Sequence, residues 1–167
     1  MTEPPRTEHF EAIVGEYAPM VTRIIAAFES RTALQRELVQ EVFVAVWAAL
    51  ARFRGKAGIK TYVARIAHNV AVSHVRREVR HPIVSGEVDL ADSTPGPAQR
   101  AEHDAIREAL LAAVRQLPVG LRQVVSLHLE GFTDSEIAAA LQISGGNVAV
   151  RLTRARDRLR NALRSIA

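Results

Sequence analysis

Apolar residues return every three or four positions along almost the whole chain and nowhere alternate, a pattern that suits helices and not strands. Phe10, Ile13, Val14, Tyr17, Val21, Ile24, Ile25 and Phe28 form the first such stripe. Pro19 falls inside it and lacks the amide a helix needs, so a kink or split is expected just before that residue. Thr32 followed by Gln35 resembles a capping box. Leu34, Leu38, Val42, Phe43, Val46, Trp47 and Leu50 then stripe a second helix. The stretch Arg52 to Gly58 carries two glycines and reads as a basic loop. A third helix follows, with Val63, Ile66, Ala67 and Val70 facing inward.

The period fails from His81 to Ala98, where Pro82, Gly86, Pro95, Gly96 and Pro97 interrupt it and Glu87, Asp89 and Asp92 make it acidic. This is a linker and the expected domain boundary. The fold class is therefore all-α, as two small helical domains over residues 1–80 and 99–167 joined by a flexible linker over 81–98. Helical spacing resumes with Ile106, Leu110, Val114 and Leu117, stops at Pro118, and restarts with Leu121, Val124, Val125, Leu127 and Leu129. Gly131 suits the position just past a helix end.

The segment from Thr133 to Arg160 reads as a helix-turn-helix. Thr133-Asp134-Ser135-Glu136 is a capping box, and Ile137 and Leu141 give the short helix one apolar face. The chain turns after Gln142 and Ile143, where many such turns use glycine, and Ser144 is a natural cap for the next helix. Gly145 and Gly146 are poor helix formers, but at a helix start they let the backbone approach a phosphate. Val148, Leu152, Ala155 and Leu159 pack on the domain. Asn147, Arg151, Arg154 and Arg158 keep the same spacing one residue earlier, a polar stripe about 100° round the helix. Side chains near the start of that helix suit base edges, and the later arginines suit phosphates. A plain helical hairpin with a solvated arginine face is the bland alternative.

The distribution of charge agrees. The chain carries +4 overall, but Arg52 to His81 holds eight basic residues and one acid, and Ser144 to Ala167 six arginines and one acid. The rest carries −8. Two basic blocks on an otherwise acidic chain suit two contacts with a polyanion. There is no cysteine, so disulfides and thiolate chemistry are excluded. The six histidines include no pair three or four apart, and no phosphate-binding glycine motif is present, so neither a metal, a cofactor nor catalysis is expected. No apolar run approaches the roughly 20 residues that span a bilayer, and MTEPPRTEHF is no secretory signal, so a cytoplasmic protein is expected.

The middle block has its own polar stripe, Arg65, Asn69, Ser73, Arg76 and Arg80, with Phe53, Tyr62 and His74 in or beside it. Rings among cations suit unstacked bases, while the competing use of Phe53 and Tyr62 is as core. From Glu37 to Trp47 (ELVQEVFVAVW), then Phe53-Arg54-Gly55, Thr61 to Asn69 (TYVARIAHN) and His74 to Arg77 (HVRR), the chain resembles region two of the extracytoplasmic-function sigma factors. Leu117-Pro118, Arg122, Val124, Glu130-Gly131-Phe132, Glu136-Ile137-Ala138, Ile143-Ser144 and Val148 to Arg156 resemble region four. The resemblance covers nearly everything after the first ten residues.

It implies a dissociable subunit of bacterial RNA polymerase that recognises promoters and assists strand opening. In the family the second helix packs on the clamp helices of the largest subunit, and Glu37, Gln40, Glu41, Phe43 and Trp47 match those positions. The basic loop and third helix meet an opened −10 element, where a flipped base must be compensated by stacking and pocket contacts. Arg54, Lys56, Lys60, Tyr62, Arg65, Asn69, Ser73, Arg76 and Arg77 are the matching candidates. Ser144, Gly145, Gly146, Asn147, Arg151, Arg154 and Arg158 would bind the −35 element, and the other face of that domain the flap of the second-largest subunit. The linker would thread toward the active-site channel. An anti-sigma factor is a further implied partner. Three departures stand out: Arg36 replaces an acid, Tyr62 the usual tryptophan, and Ser73 an aspartate, the last bearing on −10 base preference. A stand-alone helix-turn-helix regulator, which would bind a two-fold operator by itself, and a helical adaptor with no DNA dependence are the competing classes.

Overall fold

The computed structural model describes residues 6–56, 58–82 and 98–164, and among them the chain forms seven helices and no strand. These are α1 (Arg6–Ala26), α2 (Thr32–Leu50), α3 (Ile59–Arg80), α4 (Ala98–Arg115), α5 (Val119–Leu129), α6 (Asp134–Leu141) and α7 (Gly145–Arg164). The expected flexible linker falls outside the described residues, apart from its two ends.

The apolar stripes do what their spacing demands. Ile13, Val21, Ile24 and Ile25 of α1, Leu38, Val42 and Val46 of α2, and Val63, Ala67 and Val70 of α3 are buried together. The C-terminal four helices bury Val114, Val124, Leu127, Ile137, Val148, Leu152 and Ala155. These two sets are not separate cores, because one continuous cluster of buried side chains runs through both halves of the chain. Helix α3 lies at the junction, packed on α1 and α2 on one side and on α5 and α6 on the other. Its alanines at 64, 67 and 71 are fully buried, and such small side chains permit close helix approach.

Two local expectations change. Helix α1 runs unbroken through Pro19, without a split. The proline ring would press on the carbonyl four residues back, and that residue is Gly15, the least crowded partner a chain can offer. Thr32 is the first helical residue of α2 rather than its cap. Arg31 takes the cap position with no side-chain capping bond, while the Gln35 amide donates to the Glu29 carbonyl at 2.7 Å instead. Gly131 behaves as expected: at φ 78° it is left-handed, and amides of Gly131 and Phe132 return to the carbonyls of His128 and Leu127. That double bond closes α5 in a Schellman turn.

Between the halves, the bonds are specific. Arg23 of α1 makes a bidentate pair with Glu130 at the end of α5, both contacts 2.8 Å. Arg115 of α4 donates to the Ala26 carbonyl at 2.8 Å, and the Arg122 guanidinium lies 5.3 Å over the Phe28 ring. His68 of α3 is buried at the seam, with Nδ1 2.9 Å from the Ala64 carbonyl and Nε2 2.8 Å from Ser126 Oγ on α5. Nδ1 donates to the carbonyl, so Nε2 of a neutral ring accepts from the serine. Within the N-terminal half, buried Glu29 joins Arg31, itself bound to Glu78, and His74. Burial would raise the Glu29 pKa, but hydrogen bonds from Arg31 and His74 bring it down to about 2.

Burial lowers the His68 pKa to about 4 from its ordinary 6.5. An exposed or unfolded histidine takes a proton below pH 6.5, whereas the buried ring refuses it until about pH 4. The contribution of His68 to stability is therefore complete above pH 6.5 and is expected to fall by about 1.4 kcal/mol per pH unit between there and about pH 4. Glu29 contributes only further down, as pH drops from about 4.5 toward 2. Urea unfolding at pH 7.0, 6.0 and 5.0 measures the slope, and His68→Gln is expected to flatten it whatever its effect on absolute stability. An unchanged slope assigns the proton uptake to another group.

Candidate nucleic-acid interface

The helix-turn-helix is built from backbone bonds outward. Thr133 Oγ1 accepts from the Glu136 amide at 3.2 Å while Glu136 accepts from the Thr133 amide at 2.7 Å, the reciprocal box that starts α6. Those bonds, backbone first, hold the Glu136 carboxyl below the usual range, with Lys60 adding to the effect. Gln142 ends α6 in the left-handed region at φ 56°, unusual for a residue with a side chain. It makes the sharp turn that glycine would make more cheaply. Ser144 Oγ then accepts from the Asn147 amide at 3.1 Å, capping α7 as its sequence suggests.

Val148, Leu152 and Ala155 of α7 are buried, with Leu159 packed beside them. Ser144, Gly145, Gly146, Asn147, Arg154 and Arg158 are all exposed, and both glycines face open space. Arg151 is only half exposed: its Nε donates to Asn147 Oδ1 at 2.8 Å, and Nη1 reaches the Gly120 carbonyl at 3.5 Å. The stripe expected from spacing thus stands along one side of α7.

The middle block divides. Asn69, Ser73, Arg76 and Arg77 are exposed along one face of α3, and Arg54 and Lys56 project from the preceding loop. Arg77 reaches Glu41 of α2 at 3.5 Å. Tyr62 and Phe53 pack with ring centroids 4.8 Å apart, and the Tyr62 hydroxyl donates to the Ala49 carbonyl at 3.4 Å. Both rings are half-buried, part in the core and part open to solvent. His74 is not part of this surface, because it is buried against Glu29 with Nε2 to Oε2 2.7 Å. Lys60 and Arg65 turn toward the C-terminal half. Lys60 Nζ lies 4.3 Å over the Phe132 ring and 3.5 Å from the Glu130 carbonyl. Arg65 Nη2 donates to Ala139 at the end of α6, 2.8 Å away, while its buried Nε has no hydrogen-bond partner.

A third surface lies on α2. Glu37, Gln40, Glu41 and Trp47 share an exposed face, with Trp47 edge-on to Phe10 at 5.0 Å. Phe43 is turned into the core against Phe10 instead, since its position falls on the buried stripe with Leu38, Val42 and Val46. Val44 completes the exposed face, 69% accessible, and was missed. Its signal was an apolar residue out of phase with the helix's own core.

Among the described residues no cluster of acidic and histidine side chains could hold a metal ion, and no helix is long and apolar enough to cross a membrane.

Known proteins share these features. The family model Sigma-70 region 2 matches residues 13–81, and Sigma-70, region 4 matches residues 107–159. The RNA polymerase sigma-H factor of Pseudomonas aeruginosa is 28% identical, spanning 94% of this chain and 87% of its own. The ECF RNA polymerase sigma-E factor of Escherichia coli K12 is 26% identical over the same shares. Among solved structures, the sigma factor RpoE in complex with the anti-sigma factor NepR from Bartonella quintana superposes with a TM-score of 0.74 at 21% identity, covering 94% of this chain and 98% of that one. CnrH in complex with the cytosolic domain of CnrY gives 0.71 at 23%, covering 96% and 91%. At those identities the structures speak for the fold.

Thr133→Ala removes the acceptor of the Glu136 amide, and is expected to cost about 1 kcal/mol of stability. A lowered urea midpoint together with faster hydrogen exchange at the Glu136 amide checks the assignment.

Proposed function

The chain belongs to the extracytoplasmic-function sigma factors, which direct promoter-specific initiation by bacterial RNA polymerase, and on that premise we propose how its residues divide the work. The observation that carries the division is a pair of exposed basic faces on different helices, α7 and α3, each beside a different part of the fold. The domain over residues 99–167 reads the −35 element as closed duplex. Gly145, Gly146 and Asn147 approach at the start of α7, Arg151 reaches a base edge, and Arg154 and Arg158 hold phosphates. The domain over residues 1–80 takes the −10 strand on Arg54, Lys56, Asn69, Ser73, Arg76 and Arg77, with Tyr62 as the stacking ring.

Lys60 and Arg65 join that second group when the halves separate. Supporting this, both cations now face α5 and α6, and Arg65 is left with an unpartnered Nε. The exposed side of α2, Glu37, Gln40, Glu41, Val44 and Trp47, meets the clamp helices of the largest polymerase subunit, and the C-terminal domain meets the flap of the second-largest. The linker over 81–98 spans the distance between them. An anti-sigma factor holds the chain in reserve in the cytoplasm, as NepR binds its relative. The chain supplies recognition and strand capture and no catalysis of its own.

Adding the purified chain to sigma-free core polymerase tests the scheme, with promoter-specific transcripts from genomic templates as the expected result. Protection of a palindromic site by the chain alone, with no transcripts, would overturn it. Val44→Glu is expected to abolish holoenzyme assembly with stability unchanged within about 0.5 kcal/mol, because the side chain is exposed. Removing Arg158 is expected to weaken binding uniformly across sequences and lower the salt slope by about 1.

A further inference from the structure

Gly120 occupies the second position of α5, where its backbone is ordinary helix rather than left-handed. Nothing in its conformation calls for glycine, and alanine is the better helix former there. The reason lies in space. A Cβ at residue 120 would sit 3.1 Å from Nη1 of Arg151, closer than side chains ordinarily pack, and 3.4 Å from its Cζ. The backbone of α5 therefore forms a bare floor on which the guanidinium rests. Nη1 touches the Gly120 carbonyl at 3.5 Å, and the Nε proton is given to Asn147 Oδ1 at 2.8 Å.

The two contacts take the Nε proton and one Nη1 proton, which lie on different edges of the guanidinium. Of its five protons, one on Nη1 and both on Nη2 remain, at the far end of the planar group. A cleft of about 620 Å³ opens there, lined by Pro118, Leu121, Arg154, Asp157 and Arg158 as well as the two partners. An arginine bound in this way loses little rotamer freedom when it engages a planar acceptor pair, the arrangement a guanine edge presents.

We infer that Gly120 is a positioning residue for −35 recognition: the absence of a side chain on α5 sets the plane of the Arg151 guanidinium. This rests on the reading of α7 as the −35 helix. Gly120 itself touches no DNA in this scheme. Adding a methyl group there tips or displaces the fork while leaving its charge and the helix intact.

The test uses the full chain in holoenzyme with core polymerase, transcribing a pool of templates whose −35 window is randomised, with transcripts sequenced. Arg151→Ala is expected to erase base preference at one position of the window. Gly120→Ala is expected to weaken preference at that same position about three- to tenfold, part of the roughly five- to 150-fold that one bidentate contact supplies. Its melting temperature should equal or exceed the wild type, which separates positioning from damage to the fold. Combined with Arg151→Ala, Gly120→Ala should add nothing, since the residue it acts through is gone. Wild-type selectivity in Gly120→Ala beside lost selectivity in Arg151→Ala overturns the inference alone. Selectivity untouched in Arg151→Ala overturns the base-contact reading and this inference with it, and so does a double variant worse than Arg151→Ala.

Discussion

Burial of α3 on two opposite sides is the constraint on which the remaining structure depends. A helix packed on one side needs one apolar stripe. This one meets α1 and α2 across Val63, Ala67 and Val70, and α5 and α6 across a seam that includes His68 and Arg65. Polar groups can enter such a seam only with partners, because a buried donor or acceptor left alone costs roughly 1–3 kcal/mol. His68 meets that requirement with Ala64 and Ser126, and Arg65 meets it in part with Ala139. The width left for exposed function on α3 is then a narrow strip carrying Asn69, Ser73, Arg76 and Arg77.

Most of the local architecture was legible in the sequence because it is decided within a few residues. The capping box at Thr133 and Glu136, the serine cap of α7 and the Schellman glycine at 131 all have partners within five positions. The arginine stripe of α7 was legible for the same reason, since the helical period alone separates it from Val148 and Leu152. What could not be read was the use of a polar residue whose partner lies far along the chain. His74 resembled a ring among cations, but its partner Glu29 is 45 residues away. Lys60 and Arg65 look like surface cations until Glu130, 70 residues beyond Lys60, and the end of α6, 74 residues beyond Arg65, are brought against them. Phe43 was ambiguous for a subtler reason. It lies next to the exposed face of α2, and only the seating of Phe10 decides which way its ring turns.

The junction also limits how the two reading surfaces can be used. The stripe on α7 points away from the seam and is accessible whether or not the halves are joined. Part of the α3 surface is not. The two DNA contacts of the proposed scheme therefore differ in their cost: duplex recognition uses groups already displayed, while full strand capture requires the Arg23–Glu130 pair and the His68–Ser126 bond to break. Ligands of the separated state shift that balance by their differential affinity and by nothing else.

The nature of the groups that hold Lys60 and Arg65 carries a consequence for that exchange. Their hydrogen-bond acceptors in the seam are backbone carbonyl oxygens of Glu130 and Ala139, at the C-terminal ends of α5 and α6, while the Glu136 carboxylate acts on Lys60 only through its charge. The end of a helix carries about half a negative charge. Closed, the protein thus presents the cations proposed to bind the strand with a weak imitation of a phosphate, an oxygen of the right kind at a fraction of the charge.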